Sequence, residues 1–272
     1  MNPLKSYHRV LTIAGSDSGG GAGIQADLKT IAANGCYGAS VITALTAQNT
    51  LGVSAIHAVP VNFVAAQMDA VLSDIGADAV KIGMLFSPEL IRAVAQGLKR
   101  HGVRLVVLDP VMVAQSGDKL LQDEAIDALK SELIPLATLI TPNLPEASVL
   151  LGRDIATQEG AQAAVTDLAT LGCENVLVKG GHLESGDSDD TLFLGSEKRI
   201  VTLPGVRIPT RNNHGTGCTL SSAIASHLAR GADVETAVRS AKDYISGAIR
   251  AGAAYVLGQG HGPVHHFFKF FT

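Results

Sequence analysis

Residues 212–222 read Asn-Asn-His-Gly-Thr-Gly-Cys-Thr-Leu-Ser-Ser, a glycine-containing turn that runs directly into a helical pattern. Gly215 and Gly217 have no Cβ, so the backbone can approach a ligand closely there. The first N–H groups of the following helix have no partner within the helix, and the helix dipole adds partial positive charge. We therefore expect an anion, most often phosphate, to bind at this turn. The alternative is a tight loop with a buried cysteine behind it.

The three cysteines are far apart and odd in number, which indicates neither a disulfide framework nor a zinc site. Cys36 and Cys173 are expected to be small core residues. Cys218 falls in the first turn of the predicted helix, where the positive field of the helix start lowers the pKa of a thiol. We expect its thiol pKa to lie below the usual value.

Short apolar runs alternate with helical patterns over the chain that precedes this turn. Each run is almost unbroken in apolar character, which is typical of strands buried on both faces of a parallel sheet. The predicted strands are residues 10–14, 41–45, 79–83, 105–108, 138–140 and 176–178. Helices are predicted over residues 24–34, 219–230 and 233–257, along the apolar stripe of Val64, Met68, Val71 and Ile75, and from starts at Ser87, Asp123 and Glu146. Two runs, residues 191–194 and 200–203, flank a turn and predict an antiparallel edge hairpin. We predict an α/β fold with a doubly wound, mostly parallel central sheet, helices on both faces and one domain over residues 1–272.

Polar and glycine residues follow most of the predicted strands. Open α/β sheets bind ligands at the carboxyl ends of their strands, so these residues are expected to share one site. They are Gly15-Ser16-Asp17, Gln48-Asn49, Met84, Asp109, Asn143 with Glu146, and Lys179-Gly180-Gly181.

The residue types in this set favour phosphoryl transfer. Asp109 and Glu146 provide carboxylates for a hydrated Mg²⁺, and Lys179 provides a cation for phosphate charge. Asp109 precedes a proline and is alternatively a turn residue, and Glu146 is alternatively a first-turn helix carboxylate. The chain contains no Gly-Lys pair, so the P-loop signature is absent and a nucleotide would be bound by another design.

The formal net charge of -4, without basic clusters, argues against nucleic acid or an anionic membrane as the main partner. Residues 1–9 lack the apolar run of a signal peptide, and no segment is long and apolar enough to span a bilayer. We expect a cytoplasmic protein.

Six motifs are distributed over the chain. They are Gly15-Ser-Asp-Ser-Gly-Gly-Gly-Ala-Gly-Ile-Gln-Ala-Asp27, Val41-Ile-Thr-Ala-Leu-Thr-Ala-Gln48-Asn49, Lys81-Ile-Gly-Met84, Thr141-Pro-Asn143-Leu-Pro-Glu146, Lys179-Gly-Gly-His182 and His214-Gly-Thr-Gly-Cys218. Together they closely resemble the hydroxymethylpyrimidine/phosphomethylpyrimidine kinases, a ribokinase-like family of thiamine biosynthesis. The resemblance extends from about residue 10 to residue 266 and is highly specific as a set.

The resemblance implies phosphorylation of 4-amino-5-hydroxymethyl-2-methylpyrimidine to its monophosphate and then its diphosphate, with ATP and Mg²⁺, by a homodimer. It implies that Cys218 takes the hydroxyl proton and that Gln48 hydrogen-bonds the pyrimidine edge. The other implied positions are Asp27, Gly15, Ala22, Met84 and Val111 for the substrate pocket; Gly215, Thr216 and Gly217 for the transferring phosphate; Lys179, Asn143 and Thr216 for the nucleotide; and Glu146 and Asp109 for the metal.

Two other functions remain open. Pyridoxal kinase shares the fold, the glycine turn and the ATP chemistry, and a non-catalytic pyrimidine sensor could be built on a decayed kinase. A flap is expected either over residues 111–121, with Gly117 as the hinge, or over residues 184–190.

Overall fold

The computed structural model describes residues 5–112, 123–181 and 188–271. Its strands are β1 (Arg9–Asp17), β2 (Tyr37–Asn49), β3 (Gly52–Ala58), β4 (Ala79–Ile82), β5 (Val106–Leu108), β6 (Leu139–Ile140), β7 (Asn175–Val178), β8 (Asp190–Leu194) and β9 (Arg199–Leu203). They form a nine-stranded sheet in the order β3-β2-β1-β4-β5-β6-β7-β8-β9.

The strands from β2 to β7 in that order pair in parallel, so their carboxyl ends lie along the same edge of the sheet. β8 and β9 add antiparallel pairs at one end. The predicted doubly wound, mostly parallel sheet with an antiparallel edge hairpin is confirmed. The other end carries a further antiparallel strand, β3, which was not predicted.

Helices cover both faces of the sheet. They are α1 (Gly23–Ala33), α2 (Val61–Asp74), α3 (Pro88–Arg100), α4 (Asp123–Ala128), α5 (Leu144–Leu151), α6 (Gln158–Ala169), α7 (Thr216–Ala229) and α8 (Val234–Gly252). A π-helical turn, Leu129–Leu133, and a 3-10 turn, Ile134–Leu136, continue α4. One apolar cluster joins α2 to α6 with the sheet, and a second joins α1, α7 and α8 with its other face. Strand residues alternate between the clusters, as in β1, where Leu11 and Val10 belong to different ones.

Several elements differ in extent from the predictions. β1 continues through Asp17 and β2 through Asn49, because both are held by neighbouring strands beyond their apolar runs. α6 was not predicted, and α8 ends at Gly252 rather than at residue 257. The amide of Asn212 donates to the carbonyl oxygens of Gly252 and Tyr255, which satisfies backbone groups at this helix end.

Candidate active site

Two glycine loops meet above the carboxyl ends of the central strands. Gly215 precedes α7 with a φ of 80°, and a Cβ there would lie 1.9 Å from the carbonyl oxygen of Gly21. A Cβ at Gly21 would in turn lie 2.4 Å from Cδ2 of His214. The turn at 214–217 therefore packs directly on the loop that leads from β1 into α1, and this contact requires glycine on both sides.

The start of α7 has free backbone donors. The N–H of Thr219 donates to the carbonyl oxygen of Gly215 at 2.8 Å, and the N–H of Thr216 donates to the carbonyl oxygen of Asn213 at 3.3 Å. Among the described residues, no acceptor is found for the N–H groups of Gly217 and Cys218. The hydroxyl of Thr216 donates to the Asn213 carbonyl at 2.7 Å, so it stabilises the turn. This geometry suits an anion at the N-terminus of α7.

A buried charge cluster lies beside this turn. The ammonium of Lys179 is 2.7 Å from Oδ1 of Asp109 and 3.9 Å from Oε2 of Glu146. A Cβ at Gly217 would lie 3.4 Å from Oδ2 of Asp109 and 3.5 Å from the Lys179 ammonium, so the turn and the cluster are in contact distance. Asn143 and Glu146 form a reciprocal capping box at the start of α5.

The charges in this cluster shift one another's pKa values. Burial raises the pKa of Glu146 to about 7, with Asp109 adding to the rise and Lys179 opposing it. Burial also works to raise the pKa of Asp109, but Lys179 and Lys81 outweigh it and the pKa is lowered. Desolvation opposes charge on Lys179, yet the two carboxylates raise its pKa. Lys179 is therefore a cation, and Glu146 titrates near neutral pH.

The described residues contain no group of three or more His, Cys, Asp or Glu side chains placed to hold a metal ion. Lys179 already contacts Asp109, and the Asn143 N–H donates to Oε2 of Glu146 at 2.7 Å. Mg²⁺ commonly keeps several waters and binds through one or two carboxylates together with substrate phosphates. The pair Asp109 and Glu146 fits such a hydrated ion rather than a metal held by protein ligands alone.

Two of the predicted pocket residues, Ala22 and Gln48, lie beside the glycine turn, and two others, Gly15 and Met84, lie close to each other. A Cβ at Gly15 would lie 2.8 Å from Cε of Met84, and Ala22 Cα would lie 3.3 Å from a Cβ at Gly215. The amide nitrogen of Gln48 is 3.4 Å from Nε2 of His214, four residues before Cys218. Gln48 and Cys218 therefore belong to the same side of the molecule.

Val111 follows β5 and is half-buried, and its N–H donates to the carbonyl oxygen of Asp109 at 2.8 Å. Gly117 and His182 lie outside the described residues, as do most of the first proposed flap and residues 184–187 of the second.

The structure corrects the expectation for Asp27, which is fully buried rather than part of the pocket surface. Both of its oxygens lie 2.9 Å from the ammonium of Lys81. Thr12 and Ser222 donate to the same carboxylate at 2.6 Å and 2.7 Å. These contacts occupy the carboxylate of Asp27 beneath the glycine turn.

The expectation of a lowered thiol pKa for Cys218 is also wrong. Burial raises its pKa to about 11; Lys81 opposes the rise, and the carboxylates of Asp27 and Asp109 add to it. Desolvation of a thiolate outweighs the field of the helix start. Cys36 and Cys173 are buried, as predicted.

Asp17, one of the residues predicted at the strand ends, and His214 join the two glycine loops of the site. Asp17 accepts hydrogen bonds from the N–H groups of Gly19, Gly21 and Ala22, and it lies 2.9 Å from Nε2 of His214. An Asp whose side chain accepts the N–H two residues on, here that of Gly19, is typical of such turns. A cavity of about 720 Å³, lined in part by Tyr7 and Arg9, includes none of the site residues.

No helix among the described residues is long and apolar enough to cross a membrane.

Comparison with known proteins gives a consistent match. A family profile described as phosphomethylpyrimidine kinase matches residues 17–265. A hydroxymethylpyrimidine/phosphomethylpyrimidine kinase of Rhizobium meliloti (strain 1021) is 56% identical over 260 residues, which cover 95% of this chain and 97% of that protein. A thiamine biosynthesis bifunctional protein of Geobacter sulfurreducens is 56% identical over 257 residues, or 94% of this chain, but this chain spans only 52% of its length.

Among solved structures, the ADP complex of Bacillus subtilis pyridoxal kinase superposes with a TM-score of 0.89 at 38% identity, covering 98% of this chain and 100% of that chain. The profile match and the identity to the Rhizobium kinase extend over nearly the whole chain. The chain therefore belongs to the phosphomethylpyrimidine kinase family and has its ribokinase-like fold.

Proposed function

We propose that this chain transfers phosphate from ATP to the hydroxymethyl group of 4-amino-5-hydroxymethyl-2-methylpyrimidine and then adds a second phosphate to give the diphosphate. One observation carries the proposal. The N–H groups of Gly217 and Cys218 have no acceptor among the described residues, Gly217 lies beside Asp109 and Lys179, and Gln48 contacts His214 of the same turn.

The transferring phosphoryl group is proposed to bind at the start of α7. Backbone N–H groups and a helix dipole stabilise negative charge there without reorganising during the reaction. Lys179 adds a full positive charge, and Thr216 holds the turn through its bond to Asn213. Asn143 acts on the nucleotide side by fixing Glu146 in the capping box.

Mg²⁺ would neutralise charge on the phosphates when it is bound with the nucleotide. Asp109 and Glu146 are the residues proposed to hold it, through its water molecules. Both carboxylates are oriented by the protein, one by Thr141 and Lys179 and the other by the Asn143 N–H.

Cys218 is proposed to contact the substrate hydroxyl and to accept its proton only in the small fraction of molecules in which the thiol is ionised. Because its thiol is protonated at rest, positioning and charge stabilisation contribute more to the rate than proton removal. This distribution is usual for phosphoryl transfer.

Gln48 is proposed to bind the pyrimidine edge. A glutamine amide carries both a donor and an acceptor, which matches an exocyclic amine next to a ring nitrogen. Gly15, Ala22, Met84 and Val111 are proposed to shape the remaining walls.

The experiment is to incubate the protein with ATP, Mg²⁺ and the hydroxymethylpyrimidine, and to follow ADP together with the mass of the products. We expect ADP formation that depends on the pyrimidine, with the monophosphate appearing before the diphosphate. Absence of pyrimidine-dependent ADP would contradict the proposal and favour a pyrimidine sensor.

Pyridoxal kinase is the second candidate, because the Bacillus subtilis pyridoxal kinase superposes with a TM-score of 0.89. Side-by-side kcat/KM values for pyridoxal and the hydroxymethylpyrimidine separate the two functions. A clear preference for pyridoxal would replace the pyrimidine proposal.

The remaining parts of the proposal concern the number of domains, the oligomeric state and the cellular location. We propose one kinase domain over residues 1–272, supported by the single continuous sheet. We also propose a homodimer, supported by the edge strand β3 and the exposed apolar side chains of Leu45, Ile56 and Phe63, and sedimentation measurements test it. A cytoplasmic location without nucleic-acid or membrane partners is supported by three unpaired cysteines and a net charge of -4.

A further inference from the structure

The carboxylate of Asp17 joins the glycine loop after β1 to the anion turn before α7. It accepts the N–H groups of Gly19, Gly21 and Ala22 at 2.7, 3.0 and 2.8 Å. Its Oδ2 is also 2.9 Å from Nε2 of His214. The side chain of Asp17 is only 2% exposed, so these contacts are shielded from water.

These contacts decide which ring nitrogen of His214 carries a proton. Burial works to raise the pKa of Asp17, but hydrogen bonds from His214, Ala22 and Gly19 outweigh it and the pKa is lowered. An ionised carboxylate can only accept hydrogen bonds. The Nε2 atom of His214 must therefore be protonated and donate to Asp17.

The proton on His214 in turn constrains Gln48. The amide nitrogen of Gln48 lies 3.4 Å from the same Nε2, and two donors cannot form a hydrogen bond with each other. Oε1 of Gln48 is 3.0 Å from the hydroxyl of Thr46, whose single hydrogen has a second acceptor at 2.9 Å, the carbonyl oxygen of Ser16. Because the protonated Nε2 of His214 cannot accept a hydrogen bond, the amide nitrogen of Gln48 stays available to donate to a ligand.

We propose that Asp17 is a specificity-positioning residue, which keeps the proton on His214 Nε2 and thereby leaves the Gln48 amide nitrogen to donate to the ring nitrogen of an aminopyrimidine. This inference rests on the proposed function, in which Gln48 binds the pyrimidine edge. Asp17 itself does not contact the reacting atoms, and it acts through His214.

Two variants interrupt this chain of contacts at different points. Asp17→Asn removes the charge, and His214→Gln removes the imidazole while leaving the three backbone contacts of Asp17 in place. In both we expect KM for the pyrimidine to rise about tenfold, the usual effect of losing one hydrogen bond. The rise in pyrimidine KM should be larger than any change in kcat or in KM for ATP, because Gln48 contacts the pyrimidine and not the nucleotide.

The matched control is Lys29→Met. Its ammonium donates to the carbonyl oxygen of Gly20 at 2.8 Å, so it braces the same loop without contacting His214. We expect a lower Tm for this variant, with all three kinetic constants within about twofold of wild type.

The outcomes separate this inference from its alternatives. An unchanged pyrimidine KM in His214→Gln, or a joint change of all constants and Tm in both variants, would show that Asp17 only braces the loop. If Asp17→Asn does not fold, His214→Gln decides alone. Lack of wild-type turnover would contradict the proposed function instead, and calorimetric titration with the pyrimidine would still test the tenfold change in affinity.

Discussion

Cys218 illustrates how the surroundings of a residue can oppose its local backbone position. The helix start favours a thiolate, whereas burial next to the carboxylates of Asp27 and Asp109 disfavours it. Only the first of these effects is encoded in neighbouring residues. The carboxylates come from α1 and from the residue after β5, which are far away in the sequence.

The first prediction concerns the reactivity of this thiol. Because burial raises the pKa of Cys218 to about 11, its alkylation by iodoacetamide should accelerate about tenfold per pH unit from pH 7 to pH 10. Peptide mass spectrometry of the unliganded protein measures this rate, with the peptides of Cys36 and Cys173 as internal controls. A rate that levels off at pH 8 or below would contradict the raised pKa.

Glu146 provides a second prediction, for the acid limb of activity. Burial raises its pKa to about 7, so the carboxyl is protonated below that pH and ionised above it. If the ionised form holds the hydrated metal, kcat/KM for ATP should rise with pH and level off above about 7. Glu146→Gln should lower the activity and remove this dependence of kcat/KM on pH. The same pH dependence in the variant would show that another group titrates.

At the level of elements, the close contact between the two glycine loops leaves no room for a Cβ atom at Gly215. Gly215 combines a φ of 80° with a backbone oxygen 1.9 Å from the position of a Cβ. Gly35, with a φ of 77°, has nothing within 4 Å of that position. The two glycines therefore separate the cost of a left-handed backbone from the cost of displacing a loop.

We expect Gly35→Ala to lower the free energy of unfolding by about 1–2 kcal/mol with kcat unchanged, because its only cost is the left-handed backbone conformation of a non-glycine residue. Gly215→Ala should be less stable than Gly35→Ala and lose at least about tenfold in kcat, because the anion turn must move. Thermal unfolding and steady-state kinetics measure both effects. Equal behaviour of the two variants would show that the loops do not need this close contact.

A buried ion pair joins several elements beneath the site. Lys81 on β4 and Asp27 on α1 are both fully buried, and Thr12 and Ser222 bring β1 and α7 into the same network. Replacing one partner leaves the other charge buried and unpaired.

Lys81→Met should therefore lower the free energy of unfolding by about 3–5 kcal/mol. The control is Arg100→Met, which breaks the half-exposed pair with Asp69 and should cost less than about 1 kcal/mol. Denaturant titrations of both variants give the comparison. Similar losses in the two would mean that the buried pair has no special role in stability.

The sequence allows prediction of elements whose signals are local. The cap at Ser87 and the capping box of Asn143 and Glu146 depend on neighbouring residues. α3 begins directly after Ser87, as expected, and α5 begins at Leu144, two residues before Glu146. β3 was missed because most of its side chains are exposed, which leaves no apolar run to detect. The early end of α8 depends on Asn212, about 40 residues away along the chain.

At the scale of the whole molecule, the parallel sheet brings together residues from across the chain. Asp109, Asn143 and Lys179 follow consecutive parallel strands, so their convergence follows from the strand order. The family resemblance and the strand pattern were enough to anticipate this gathering. The contacts that orient the side chains, such as those of Asp17 and Asp27, come from packing between loops and helices and could not be anticipated.

A crystal structure with the hydroxymethylpyrimidine and a nonhydrolysable ATP analogue is the most direct measurement. We expect the terminal phosphate within hydrogen-bond distance of the Gly217 and Cys218 N–H groups, and the pyrimidine edge against Gln48. Phosphates bound away from the start of α7, for example in the cavity beside Arg9, or a pyrimidine that does not contact Gln48, would contradict the proposed site.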